Sequence, residues 1–241
     1  MSLAAFGTVP PGVLTTPVPF ALDVSHHAQN HLKRLAHDAN IGPPSYYTAH
    51  TDTTETTSFG LSREWLITAQ DIWTSHGQSY SWHDEQTHLN SFPNFRINVT
   101  TSTPPADPNE GEAEEQTFNL HFAALFSQSP TATPLILLHG WPGAWFEFAP
   151  LLELLAAKYT PETLPYHVVV PSIPDYGLST RSRELERELS MDEAAGALDE
   201  LMVQLGFGDG GYVAQGGDIG SFLAQVMCAN FDACRALHRE F

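Results

Sequence analysis

The stretch GGDIG, residues 216–220, follows the run YVAQ at 212–215. It sets one carboxylate, Asp218, between close-set glycines directly after what reads as a buried strand. Glycines beside an aspartate also make ordinary turns, so the stretch decides the fold only through what else in the chain converges on it. Its spacing is that of a nucleophile elbow: a glycine, any residue, the nucleophile, any residue, a glycine. A strand that turns sharply into a helix tolerates little bulk beside the turn. It presents the middle residue at the helix N-terminus, where unpaired N–H groups favour an ionised carboxylate.

Working outward, the chain around this turn alternates between strand and helix patterns. Residues 135–138 and 167–170 are short apolar runs, as expected of strands covered on both faces. Helical spacing marks residues 144–157, 191–205 and 219–229. Ser190 with Glu193 three positions later has the capping-box spacing, and residues 234–238 begin a further strand. Short connections between such elements predict an α/β fold with a mostly parallel central sheet and helices on both faces. Residues 95–99 and 118–126 alternate as a hairpin. The segment between them, 101–116, carries prolines and carboxylates with nothing to bury and reads as a solvated loop. Upstream, residues 1–20 look extended, helices are expected over 23–40 and 61–73, a threonine-rich loop follows the first helix, and 87–95 is turn-rich. Composition places a boundary between an irregular region, 1–94, and an α/β region, 95–241.

Composition narrows the function classes. The chain has 28 acidic and 10 basic residues among 241, a formal net charge of −18. No basic stripe is available to displace counterions from a phosphate backbone, which argues against nucleic-acid partners. No run of 18 or more apolar residues is present to span a bilayer. The proline-broken N-terminus lacks a basic region and does not read as a secretory signal. Two cysteines, Cys228 and Cys234, make no disulfide framework and are expected as free thiols in a soluble cytoplasmic protein.

A second unusual stretch, HGWPG at 139–143, follows the 135–138 strand and falls at the same carboxyl-end rim, where ligands of such sheets meet the loops. Its glycines let a main-chain N–H face a shared pocket, and Pro142 restricts the turn. Paired with the N–H that follows Asp218, such a donor forms an oxyanion hole, the electrostatic device of acyl chemistry.

At this point the residues resemble a family, the α/β-hydrolase-fold epoxide hydrolases of the microsomal and fungal type. The segment WHDEQTHLNSFPNF at 82–95 is similar to the family's N-terminal signature, with His83 where arginine is usual. HGWPG matches its oxyanion loop, PSIPDYGLS at 171–179 resembles a further motif with Asp175 in place of glycine, and GGDIGS at 216–221 matches its elbow. The resemblance implies hydrolysis of epoxides to vicinal diols through an aspartyl ester, without cofactor or metal. Asp218 is then the nucleophile, and the backbone N–H groups of Trp141 and Ile219 form the oxyanion hole. His139, Gly140, Pro142, Gly143, Gly216, Gly217 and Gly220 shape the supporting loops, with Trp145, Asp175 and Tyr176 as pocket lining.

The family's histidine base, its acidic partner and its cap tyrosines have no counterpart up to Phe241. The resemblance therefore implies a truncated member whose uncovered sheet edge invites pairing with another copy. Such a member is either half-active or a non-catalytic interaction protein. Haloalkane dehalogenation on the same fold shares the aspartate, but the N-terminal segment argues against it. The histidines at 26, 27 and 31 lack a zinc-type pattern and read as solvated helix residues. Glycines 206, 208, 210 and 211 precede a strand instead of following one, which is the wrong order for a dinucleotide loop.

Overall fold

The computed structural model describes residues 2–49, 60–74, 80–103, 114–181 and 188–240. These form two compact units, one of Leu22–Leu89 and one of Met1–Ala21 with Asn90–Phe241. The division differs from the single boundary expected near residue 94. The first 21 residues belong with the sheet because Phe6 is fully buried and strand β1 (Val18–Pro19) pairs with β2 (Asn94–Thr103).

The larger unit is built on a sheet of order β1-β2-β3-β5-β4-β7-β8, with the two-residue β6 (Thr180–Arg181) attached to β3. Here β3 is Glu114–Leu125, β4 Thr133–Leu138, β5 Tyr166–Pro171, β7 Tyr212–Gly217 and β8 Cys234–Glu240. Strands β5, β4, β7 and β8 run parallel, and β1 to β3 continue the sheet antiparallel. Helices cover both faces, the fold of an α/β-hydrolase core. Helix α5 (Ala149–Lys158) follows a 3-10 turn at Trp145–Phe148, and α6 (Met191–Met202) and α7 (Ile219–Asn230) pack on one another and on the sheet.

Local chemistry explains these elements. The apolar runs of β4 and β5 are buried as strands covered on both faces should be. The capping box is formed: Glu193 N–H donates to Ser190 Oγ at 3.2 Å, and Ser190 N–H to Glu193 Oε2 at 3.0 Å. Small Ala194, Ala195 and Ala197 let α6 sit close to the sheet, with Leu198, Leu201 and Met202 filling the core beside Phe118, Leu120 and Tyr212. Polar groups are sealed inside as well, His121 among them. His121 lies between Asn94 Oδ1 and Ser172 Oγ, each 3.0 Å from a ring nitrogen. Burial, assisted by the charge of Arg96, lowers its pKa to about 3.

The smaller unit holds α1 (His26–Asp38), α2 (Tyr46–Ala49), α3 (Arg63–Thr74) and α4 (Trp82–Leu89). Helix α1 is capped by Ser25, whose Oγ accepts from Ala28 N–H at 3.2 Å.

Several expectations need correction. The short α2 interrupts the expected threonine-rich loop, and the last turn of α4 takes in residues 87–89, the start of the segment expected to be turn-rich. The hairpin is longer than its sequence suggested, because Thr101 to Thr103 and Glu114 to Gln116 continue the ladder; the rest of the expected loop, 104–113, lies outside the described residues. Cys228 and Cys234 are joined in a disulfide rather than free, because α7 ends beside the start of β8. Among the described residues no helix is long and apolar enough to cross a membrane.

Candidate active site

The parallel strands β4, β5 and β7 all deliver loops to one rim of the sheet, and the stretches at 139–143, 171–179 and 216–220 meet there. Strand β7 ends at Gly217, and Asp218 turns the chain into α7 with φ 51° and ψ −126°. A side chain other than glycine is strained at such a positive φ. The strain is held by close packing around the turn. A Cβ on Gly220 would stand 2.4 Å from Leu138 O, and one on Gly216 would stand 2.1 Å from Gly220 O. Ser221 fastens the turn, its Oγ donating to Asp218 O at 2.6 Å. Gly217 is less constrained, since the nearest atom a Cβ there would meet is Glu240 Cγ at 3.6 Å, an ordinary contact.

Across from Asp218 stands the loop after β4. Trp141 N–H donates to Asp218 Oδ1 at 2.8 Å. The N–H groups of Trp141 and Ile219 both bond the carboxylate and hold its pKa below the ordinary value. The carboxylate is exposed at this rim. Gly140 makes the approach possible, because a Cβ there would lie 2.8 Å from Asp218 Cβ. The Trp141–Pro142 peptide is cis. The two main-chain donors expected from the sequence therefore converge on one carboxylate.

His139 is buried beneath this loop, with 1% of its surface exposed. Its Nδ1 lies 3.0 Å from Gly140 O, and its Nε2 accepts from Ile173 N–H at 3.1 Å. Both nitrogens are thus committed, one donating and one accepting, as a neutral imidazole requires. Burial lowers its pKa, against smaller raising contributions from the Gly140 hydrogen bond and Glu147. The ring ties the loop after β4 to the loop after β5.

Of the residues expected as pocket lining, Tyr176 stands edge-on to His139, with ring centroids 6.1 Å apart. Asp175 adopts φ 65° and pairs with Arg181 at 2.9 Å. Trp145 is 3% exposed, packed against Phe92 and His121, where its ring finds aromatic neighbours on two sides. Two residues escaped the sequence reading. Glu147 folds its carboxylate over Gly143, where a Cβ would come within 1.4 Å of Oε1, with Gly140 N–H 3.5 Å from Oε2. Ile173 supplies the N–H that His139 accepts. A glutamate four positions after a glycine signalled the first; nothing local could signal a contact spanning 34 residues. Among the described residues no group of three or more histidine, cysteine, aspartate or glutamate side chains could hold a metal ion.

Residues 17–148 match the family described as epoxide hydrolase N terminus, and residues 133–238 match the alpha/beta hydrolase fold family. The solved structure of Aspergillus niger epoxide hydrolase is similar at 38% identity and a TM-score of 0.81, over 98% of this chain and 55% of that one. The juvenile hormone epoxide hydrolase of the silkworm Bombyx mori is similar at 25% identity and a TM-score of 0.71, over 95% of this chain and 54% of that one. A relative from Dothistroma septosporum is 36% identical over 236 residues, 98% of this chain and 52% of its own length. This chain therefore spans about half the length of the relatives it matches. The family match, covering more than half of the sequence, and the elbow facing its two main-chain donors agree: this chain belongs to the epoxide-hydrolase family of α/β-hydrolase-fold proteins.

Proposed function

We propose that this chain carries the ester-forming half of an epoxide hydrolase site of the microsomal and fungal type. The supporting observation is the 2.8 Å bond from Trp141 N–H to Asp218 Oδ1. That bond anchors one carboxylate oxygen and leaves the other to attack an epoxide carbon. Attack forms a carbon–oxygen bond to Asp218 and breaks the strained ring bond. The departing oxygen becomes an alkoxide that takes up a proton, leaving a hydroxyalkyl ester. In the second half-reaction water adds to the ester carbonyl. Negative charge then develops on the oxygen that the N–H groups of Trp141 and Ile219 face, and collapse releases the vicinal diol.

The second half-reaction needs a base to take the proton from water. Among the described residues no histidine hydrogen-bonds Asp218, and the ring of His139 is committed on both nitrogens. The chain alone is thus expected to form the ester and to release it slowly. Incubation with styrene oxide followed by intact-mass measurement tests this reading. A single stoichiometric adduct located on Asp218, absent from Asp218→Ala, is the expected result. Steady diol release that persists in Asp218→Ala overturns it.

A second reading is favoured by strand β8, whose residues after Cys234 are all exposed at the sheet edge. In it the chain is a catalytically incomplete family member that acts by pairing through that edge. Absence of any adduct, together with stable multimers, selects this reading.

A further inference from the structure

Strands β4, β5, β7 and β8 enter the sheet at the end opposite Asp218, and a cavity of about 470 Å³ opens there. Its walls include Pro134, His167, Phe207, Gly211, Val213 and Arg235. None of these residues takes part in the site described above.

His167 is one of the polar residues that line this cavity. It is 8% exposed and lies against the rings of Phe207 and Phe126, at centroid distances of 5.0 and 6.4 Å. Ser127 N–H donates to its Nδ1 at 3.2 Å. That bond fixes the tautomer, so the proton of the neutral ring sits on Nε2. Nε2 has no hydrogen-bond partner among the described residues. It is not among the buried side-chain atoms that lack a partner, so it reaches solvent and is open to a ligand's acceptor. A second proton on Nδ1 would face the Ser127 N–H, and burial likewise lowers the pKa of the ring. The ring therefore offers a neutral N–H.

Arg235 supplies the charge. Its stem crosses Gly211, where a Cβ would stand 2.4 Å from Arg235 Cγ and 2.8 Å from Nε; Gly211 also adopts φ 81°. The absent side chain is what lets the arginine lie over the cavity wall. Arg235 pairs with no carboxylate among the described residues. Its guanidinium is exposed and free to meet an anion.

We propose that this cavity binds a small organic carboxylate. The guanidinium of Arg235 takes the carboxylate through its planar fork, His167 Nε2–H donates to one of the oxygens, and the carbon body lies against Pro134, Phe207 and Val213. Inorganic phosphate fits less well, because it leaves the apolar walls uncovered and finds one cation only.

Benzoate is the probe, with benzyl alcohol and inorganic phosphate as comparisons. The readout is the imidazole resonances of His167 in the histidine-labelled chain, assigned by their loss in His167→Gln. Benzoate is expected to shift them saturably, and the two comparisons are not. Arg235→Gln should weaken benzoate about tenfold, and Arg235→Lys should restore only part of the affinity because an ammonium lacks the fork. Arg235 is exposed, so its variants keep the fold. Calorimetry on them carries the test alone if His167→Gln does not fold. No saturable response to benzoate, unchanged affinity in Arg235→Gln, or tighter binding of phosphate each overturns the proposal.

Discussion

At the scale of single residues, the site depends on how closely the backbone of Gly140 passes Asp218. A Cβ at position 140 would lie 2.8 Å from Asp218 Cβ, closer than two carbons tolerate. Either the loop or the elbow must yield. The elbow is locked by Gly216 and Gly220 against the neighbouring backbone, so the loop carrying the Trp141 N–H is expected to move. Gly140→Ala should therefore slow adduct formation by styrene oxide on the order of 10- to 100-fold, the cost of a displacement approaching 1 Å. Its melting temperature should stay close to that of the parent chain, because the loop lies at the rim. A variant alkylated as fast as the parent would show that the Trp141 donor does not orient the carboxylate.

Among the elements, β8 stands apart. It pairs with β7 on one side only, and its outward residues are exposed, Leu237 at 39%. Natural edge strands are blunted by charges, and Arg235, Arg239 and Glu240 serve that role here, but Leu237 remains an apolar point on a long edge. Size-exclusion chromatography at rising concentration should show self-association that Leu237→Lys reduces. A parent chain that stays monomeric throughout would rule out pairing through this edge. Elements also differ in how plainly the sequence announced them. The apolar runs of β4, β5 and β7 and the Ser190–Glu193 cap were legible because their signals are local. Helix α4 was not, since WHDEQTHL has no apolar stripe and is held by polar contacts. Ser81 Oγ accepts from Asp84 N–H at 3.3 Å, and Trp82 Nε1–H donates to Gln86 at 3.1 Å. Strand β6 has two residues and no existence apart from its pairing with β3. The elbow and its facing loop were legible because glycine spacing encodes close approach. The brace from His139 to Ile173 and the burial of Trp145 arise only when distant segments meet.

Over the whole molecule, acid titration links the buried histidines to stability. Burial lowers the pKa of His121, His139 and His167, that of His121 to about 3. Each ring binds its proton more readily in the unfolded chain, where the ordinary value is about 6.5. Below that value the unfolded state holds more protons than the native state, so stability rises with pH there and is lost as pH falls. The contribution of His121 is complete above about pH 6.5 and disappears progressively toward about pH 3, with a slope of up to roughly 1.4 kcal/mol per pH unit. Asp199 works in the opposite sense. Burial raises its pKa even though Tyr212 donates to it at 2.7 Å, so protonation relieves a cost instead of adding one. As pH falls, Asp199 therefore opposes the three histidines, and their combined effect sets the sign between about pH 5.5 and 7. Relaxed self-repulsion of the net −18 charge also opposes them, but spread over the surface and screened by salt. The urea midpoint should accordingly fall between pH 7 and about pH 5.5. His121→Gln, which keeps a donor and an acceptor between Asn94 and Ser172 but cannot take the proton, should lower stability at pH 7 and flatten the dependence. A parent chain whose midpoint is constant or rises on acidification would mean that these rings are not sealed from protons in the native state.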